Sequence, residues 1–124
     1  MKQGKITPNG VILKEHENAT VVWLTEHGFN VELILPSPFS KKSNIIFNGL
    51  EWEMKSPKGD GKENLEHAFK AAVKQSENII FDLRRSRIPE NKALTKLKKE
   101  LRLSKKAKRL IVITKAAKRL DFTK

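Results

Sequence analysis

The chain has no cysteine, and none of its apolar runs is longer than four residues. Without cysteine there can be no disulfide framework, no thiol catalysis and no zinc site built on cysteine. A membrane-spanning helix needs about 20 predominantly apolar residues, so none is expected and no membrane partner is predicted. Residues 1–5 also lack the apolar segment of a signal peptide. We therefore expect a cytoplasmic site of action, or a domain delivered there by another route.

Positive charge is abundant, and its placement is uneven. The 124 residues, 38% hydrophobic and 32% charged, are enough for one globular domain with one core. The net charge is +12, of which residues 1–62 supply +1 (8 lysines and arginines against 7 acids) and residues 63–124 supply +11 (18 against 7). A one-sided basic surface favours a polyanion, above all nucleic acid, as partner. An acidic protein partner and a merely solvated helix stay open as alternatives.

Apolar spacing and turn signals predict a single domain at 1–124, with a loosely ordered lead-in at 1–12. The expected elements are a helix at 14–28, strands at 29–35, 45–47 and 50–56, a helix at 63–76, a strand at 78–83, a helix at 90–102 and a strand at 110–114. Basic loops are expected at 40–43 and 57–61. The order α-β-β-β-α-β-α-β predicts an α/β fold with a mixed central sheet flanked by helices.

The stretch 43–55 is the most informative part of the chain. Asn48-Gly49 predicts a two-residue hairpin turn, because both central positions of a type I′ turn have positive φ. Since side chains alternate along a strand, Glu53 and Lys55 should share one face with Glu51. The residues expected on the other face, against a helix, are Leu50, Trp52 and Met54. Asn44, at the open end of the hairpin, should lie close to Glu53 and Lys55.

Oxygen ligands beside a lysine suit phosphodiester cleavage. Carboxylate and carbonyl oxygens bind Mg²⁺ or Mn²⁺, and a nearby lysine can orient the attacking water. Glu17 on the first helix is the expected third ligand, with Glu15 and Glu26 as alternatives. The candidate catalytic residues are Glu17, Asn44, Glu53 and Lys55, and the candidate metal ligands are Glu17, Asn44 and Glu53. A same-strand ion pair on a solvated sheet would explain Glu53 and Lys55 equally well.

The order of elements with Asn44 and Glu53-Met54-Lys55 resembles the PD-(D/E)XK nuclease core. Residues 45–57 and 74–84 are more closely similar to the C-terminal tRNA nuclease toxin domain of CdiA contact-dependent inhibition proteins. The similarity covers about residues 14–115, and the Asn-Gly-x-x-Trp-Glu-x-Lys-Ser segment is its most specific part. It implies metal-dependent cleavage of RNA, usually tRNA, with Mg²⁺, Mn²⁺ or Zn²⁺, and often a cognate immunity protein.

Asn44 departs from this family, which has an acid at that position. A neutral amide oxygen should bind a metal more weakly than a carboxylate. Three interpretations stay open: a weak or inactive natural member, a site whose acid lies elsewhere, or an inactivated toxin.

Basic and polar residues around the expected site are the candidate substrate contacts. They are Lys58, Lys62, Gln75, Arg84, Arg85 and Arg87. We expect phosphate contacts from the basic ones, which position a nucleic acid without reading its sequence. Asp82 is interpreted as a buried partner of Arg84 or Lys55. Few aromatics interleave with the second basic cluster at 98–109, so an exposed base-stacking platform is not predicted.

The leading hypothesis is a metal-dependent endoribonuclease that cleaves tRNA. The alternatives are a nuclease-derived binding module without catalysis, a DNA endonuclease of the same fold, and a metal-independent ribonuclease of the Barnase or EndoU type. The last is weaker because His16, His27 and His67 are scattered in the sequence. The oligomeric state is not predicted.

Overall fold

The computed structural model describes residues 3–35, 44–59 and 62–124, without the side chains of residues 62 and 63. The helices are α1 (Glu15–Glu26), α2 (Lys62–Gln75) and α3 (Glu90–Leu103). The strands are β1 (Ile6–Thr7), β2 (Val31–Leu33), β3 (Ile45–Phe47), β4 (Leu50–Lys55), β5 (Asn78–Asp82), β6 (Arg109–Ile113) and β7 (Arg119–Thr123). The predicted basic loop at 40–43 and part of the connection at 57–61 lie outside the described residues.

The strands form one mixed sheet of seven strands in the order β1 to β7. β1 pairs with β2 in parallel. β3 is antiparallel to both of its neighbours, β2 and β4. β4, β5 and β6 are parallel. β7 closes the sheet antiparallel to β6. A helix connects the two strands of each parallel pair, and the predicted mixed α/β class is confirmed.

Two edge strands were missed, and the predicted element order was therefore incomplete. β1 lies in the region predicted as a loosely ordered lead-in, and its two residues are exposed. β7 alternates exposed and half-buried residues and carries charges, so it lacks the apolar run expected of a strand. Both depend on pairing with a neighbour, β1 with Val31–Glu32 and β7 with all of β6. The order is β-α-β-β-β-α-β-α-β-β.

Local signals fix the end of α1 and the turn of the hairpin. Gly28 has φ +91°, the left-handed conformation of a residue just beyond a helix, as its position predicts. The Nδ1 atom of His27 lies 2.7 Å from the carbonyl oxygen of Trp23 in the last turn of the helix. Asn48 and Gly49 have φ values of 53° and 72°, so both turn residues are left-handed as predicted.

Each face of the sheet has its own core. α1 packs with Trp52 and Met54 of β4 on one face, which confirms the predicted apolar face of that strand. α2 and α3 cover the other face, where Ile79 and Phe81 of β5 are buried. Because β4 pairs in register with β5, Glu53 aligns with Ile79 and so lies on the α2 side. This register directs a carboxylate into a face made of apolar side chains.

Candidate active site

Glu53 and Lys55 form an ion pair near the end of β4. Lys55 Nζ lies 3.5 Å from Glu53 Oε2, which confirms that the two side chains share a face. Glu53 is only 5% exposed, so the pair does not stand on a solvated sheet. Its other oxygen, Oε1, is buried and has no hydrogen-bond partner among the described residues. Such an atom costs free energy and calls for an explanation.

Asn44 flanks this carboxylate from the neighbouring strand. The side-chain oxygen Oδ1 of Asn44 accepts a hydrogen bond of 2.6 Å from the backbone N–H of Met54. The backbone N–H of Asn44 donates to the Trp52 carbonyl at 3.0 Å. The amide is therefore fixed beside Glu53, as the open end of the hairpin predicts. A carbonyl oxygen has two lone pairs, so the bond from Met54 leaves one for a further contact.

Glu17 reaches the same region from the first turn of α1. Its Oε1 accepts a hydrogen bond of 3.1 Å from the Lys14 N–H, which satisfies one of the free donors at the start of the helix. Glu17 and Lys55 line one cavity of about 300 Å³. The alternatives are less well placed, because Glu15 is exposed outside that lining and Glu26 lies at the opposite end of α1.

Burial raises the pKa of Glu53 above its ordinary value of 4.5. The positive charge of Lys55 opposes this effect, whereas the negative charge of Glu17 adds to it. A nearby negative charge disfavours the ionised form of Glu53. Protonation of Glu53, or a bound cation, would lower the free-energy cost of burying its charge and would reduce its repulsion by Glu17.

The donor set suits a hard divalent cation. The two carboxylates of Glu17 and Glu53 and the amide oxygen of Asn44 are oxygen ligands of the kind that Mg²⁺ and Mn²⁺ take. The free Oε1 atom of Glu53 supports this fit. In the described parts of the chain no group of three or more His, Cys, Asp or Glu side chains is placed to hold a metal ion, and Asn44 would add a neutral oxygen to the two carboxylates.

Arg84 is anchored to the fold through its Nε and Nη2 atoms, and its role as a phosphate contact stays a prediction. Its Nε and Nη2 donate to both oxygens of Asp82, with a shortest distance of 2.7 Å, and Nη2 also donates to the Ala19 carbonyl at 2.9 Å. The hydrogen bonds to Asp82 raise the pKa of Arg84. Asp82 is 2% exposed and also accepts a 2.7 Å bond from the Thr20 hydroxyl. The predicted partnership of Asp82 with Arg84 is confirmed.

Other predicted substrate residues divide into two groups. Arg85 lies at the site, since its Nε donates to the Ser56 carbonyl at 2.7 Å just beyond Lys55. Lys58 and Arg87 are exposed in the loops that leave β4 and β5. Gln75 ends α2 as predicted, but it lies at the other end of β4, where Ser76 binds the Glu51 carbonyl. The side chain of Lys62 lies outside the described residues.

His16 belongs to the site but was not predicted for it. It lines the same cavity as Glu17 and Lys55, and also a neighbouring one beside Ser56 and Arg85. Its position next to Glu17 in the first helical turn was the available signal. The scattered spacing of the three histidines hid it, because the closeness of His16 to Lys55 depends on how α1 crosses the sheet.

The structure thus defines a mixed α/β domain with polar side chains from α1, β3 and β4 gathered at one end of its sheet. The family model described as "Contact-dependent growth inhibition CdiA C-terminal domain" matches residues 41–119. The chain therefore belongs to the CdiA C-terminal domain family of contact-dependent growth inhibition, a family of toxin domains. This confirms the family suggested by the sequence.

A comparison of structures agrees with this family. The chain is similar to a protein of the CdiA-CT/CdiI toxin and immunity complex from Burkholderia pseudomallei, with a TM-score of 0.75 and 16% sequence identity. The match covers 98% of this chain and 100% of that chain. At this identity the likeness concerns the fold alone. A search of curated proteins gave no match, and no helix in the described residues is long and apolar enough to cross a membrane.

Proposed function

We propose that this toxin domain is a metal-dependent endoribonuclease with a PD-(D/E)XK-like core, and that tRNA is its substrate. The observation that carries the proposal is the buried Glu53 carboxylate, which has one oxygen without a partner and the other beside Lys55. A structural ion pair would not require a buried oxygen without a partner. A metal-binding carboxylate does require an available one.

Each residue of the site has a role that its position supports. Glu53, Glu17 and the amide oxygen of Asn44 would hold a divalent cation. When bound, the cation would supply Lewis-acid polarisation of the phosphate and a lower pKa for bound water. Lys55 would orient the water and balance negative charge that develops on the phosphate, since its ammonium group is half-buried beside Glu53. Arg85 would hold a neighbouring phosphate of the substrate.

The charge distribution supports a nucleic acid as substrate. Residues 63–124 have a net charge of +11, and Lys58, Arg85 and Arg87 are exposed around the site. These groups recognise phosphates and do not separate RNA from DNA. The choice of tRNA comes from the sequence similarity to CdiA tRNA nuclease domains, and competition between tRNA and duplex DNA at a fixed salt concentration tests it.

The direct test is cleavage of total tRNA with Mg²⁺, Mn²⁺ or Zn²⁺, each with and without EDTA. We expect metal-dependent cleavage that Lys55→Ala abolishes. Lys115→Ala is the matched control, because Lys115 is exposed in the turn between β6 and β7. Cleavage that persists in EDTA and in Lys55→Ala would refute the mechanism. If it were then lost in His16→Ala, it would favour metal-independent catalysis.

Asn44 motivates a second candidate function, a nuclease-derived module that binds RNA without cutting it. The fixed amide beside Glu53 fills a metal-ligand position with a neutral group. Assays of the parent and Asn44→Asp separate the two candidates. Cleavage by Asn44→Asp with binding alone by the parent would support the module, whereas cleavage by both would support the enzyme.

A cognate immunity protein is the expected protein partner, and the cytoplasm of a target cell is the expected site of action. The similar solved structure is a toxin and immunity complex, and the basic surface of this domain favours an acidic partner. A candidate immunity protein should abolish tRNA cleavage when mixed with the domain in equal amounts. Unchanged cleavage at saturating concentration would exclude that candidate.

A further inference from the structure

A second cavity, of about 290 Å³, lies between the β3–β4 hairpin and the β6–β7 pair. We call it the aromatic cavity. Its lining residues include Phe29, Phe47, Trp52, Arg109 and Arg119. It shares no lining residue with the cavity of the candidate active site. The two cavities lie toward opposite ends of β4, since one is lined by Leu50 and the other by Lys55.

Three aromatic rings form a row along this cavity. The Phe47 and Trp52 rings are stacked, with centroids 4.7 Å apart and an angle of 16° between their planes. Phe29 packs against Phe47 at 5.2 Å with a tilt of 55°. The row combines residues from β3, β4 and the segment before β2, so it is assembled only by the fold. Phe47 and Trp52 are 2% and 4% exposed and Phe29 is half-buried, so the row gives the cavity an apolar side whose more open ring is Phe29.

Trp52 also provides a hydrogen-bond donor without an acceptor. Its side chain lines the cavity, the residue is 4% exposed, and its indole N–H has no partner among the described residues. The other tryptophan, Trp23, donates its indole N–H to the Ala117 carbonyl at 3.0 Å. Buried indole N–H groups normally find a partner. A ligand with an acceptor atom at its edge would satisfy Trp52.

Two guanidinium groups stand at the rim of the cavity. Arg119 lies 5.1 Å from the centroid of Phe29, and its Nε lies 3.2 Å from Asp121. Arg109 donates from Nη1 to the Asn78 amide oxygen at 3.0 Å. A guanidinium has five N–H donors, so these contacts leave donors for an anion. Asp121 also lines the cavity, so the charged lining residues sum to +1 and still favour a ligand that bears a phosphate.

We propose that the aromatic cavity binds one unpaired nucleobase together with its phosphate. The base would pack against the aromatic row and accept the indole N–H of Trp52, and the phosphate would bind Arg119 and Arg109. The volume is near the lower end of the range for small-ligand sites, about 300 Å³, which suits a single nucleotide. This inference rests on the proposed function, because the nucleotide would belong to the RNA substrate.

Nuclear magnetic resonance gives a direct test, because the chain has two tryptophans and so two indole N–H signals. The ¹⁵N-labelled protein is titrated with AMP, GMP, CMP and UMP, and Trp23→Phe assigns the signals. We expect the Trp52 signal to move and the Trp23 signal to stay in place. Inorganic phosphate alone should leave both in place. Two unmoved signals, or two that move equally with every nucleotide, would overturn the proposal.

Arg119→Gln should weaken nucleotide binding at least fivefold in this titration, with Lys118→Gln as the matched exposed control. Equal affinity in the two variants would also overturn the proposal, as would a Trp52 signal that moves only with a candidate immunity protein. Failure here is separable from failure of the proposed function. If the protein cleaves tRNA but its Trp52 signal does not move with nucleotides, this inference alone is refuted. If the Trp52 signal moves with nucleotides but tRNA is not cleaved, only the proposed nuclease activity is refuted.

Discussion

Glu53→Gln should make the metal-free protein more stable at neutral pH. Gln has nearly the same shape as Glu but no charge, so the change removes the burial of a carboxylate and keeps the side-chain volume. At 5% exposure the native carboxylate is almost entirely removed from water. Most substitutions of buried residues destabilise proteins, so a gain in stability would be specific to this explanation.

The size of the gain follows from two opposing contributions. A buried polar atom without a partner costs about 1–3 kcal/mol and more where it is charged, so the neutral amide of Gln lowers the cost at Glu53 Oε1 without removing it. The ion pair with Lys55 offsets up to about 1 kcal/mol, because Lys55 is 31% exposed and its charge is partly screened. We therefore expect Glu53→Gln to raise the free energy of unfolding by about 1 kcal/mol, or Tm by about 4 °C for a domain of this length.

The effect should depend on pH in a definite direction. Burial raises the pKa of Glu53 above 4.5, so the folded state holds this proton more tightly than the unfolded state. The native protein consequently loses stability as the pH rises through that raised pKa, whereas the variant does not. The two Tm values should be close at about pH 4, where Glu53 is protonated in both states, and should separate by about pH 7.5.

Thermal unfolding at both pH values, with and without Mn²⁺, tests the whole argument. Glu51→Gln is the control, because Glu51 is on the same strand but exposed. Bound metal stabilises the folded state by about 2.7 kcal/mol at 100 times its Kd. Mn²⁺ should therefore raise Tm of the parent and leave Glu53→Gln unchanged. A variant that is less stable at neutral pH, or a Tm difference independent of pH, would refute the reasoning.

Three further predictions concern neighbouring residues. Asp82→Asn should lower the free energy of unfolding by about 2 kcal/mol in urea denaturation, because Arg84 loses its buried partner. The control Asp121→Asn, in an exposed ion pair, should change the free energy of unfolding by less than about 0.5 kcal/mol. Asn44→Asp should raise the rate of Mg²⁺-dependent tRNA cleavage at least about tenfold, and an unchanged rate would exclude Asn44 as a metal ligand. Arg85→Ala should lower the slope of log affinity for tRNA against log salt by about one without changing Tm.

The part of the site that could be predicted from the sequence depends on local geometry. Asn48-Gly49 determines the hairpin because both residues have positive φ, and the spacing of Glu53 and Lys55 places them on one face. The burial of Glu53 could not be predicted in this way. It depends on the register of β4 with β5, which places Glu53 beside Ile79 on the face of the sheet that α2 covers.

Long-range partners account for the remaining differences. Arg84 was predicted to contact substrate, and its Nε and Nη2 atoms bind Asp82 and the Ala19 carbonyl, the second of which is 65 residues away in the sequence. The aromatic cavity was not predicted, because its residues are far apart in the sequence and none of its aromatic residues lies within the basic cluster at 98–109. A scan for aromatics interleaved with basic residues detects only platforms built from one segment.

Two neighbouring residues of β4 connect these observations. Trp52 and Glu53 point to opposite faces of the sheet, and each has a buried polar atom without a partner in the described parts of the chain. One atom is a donor and the other a negatively charged acceptor, and because they lie on opposite faces of the sheet no single side chain could satisfy both. An RNA strand with its metal ion offers the complementary pair: a base with an acceptor for Trp52 and a cation for Glu53. Each unpartnered atom lowers the free energy of unfolding of the free protein, and a bound nucleic acid with its metal ion would restore it. Such local costs are expected at binding sites.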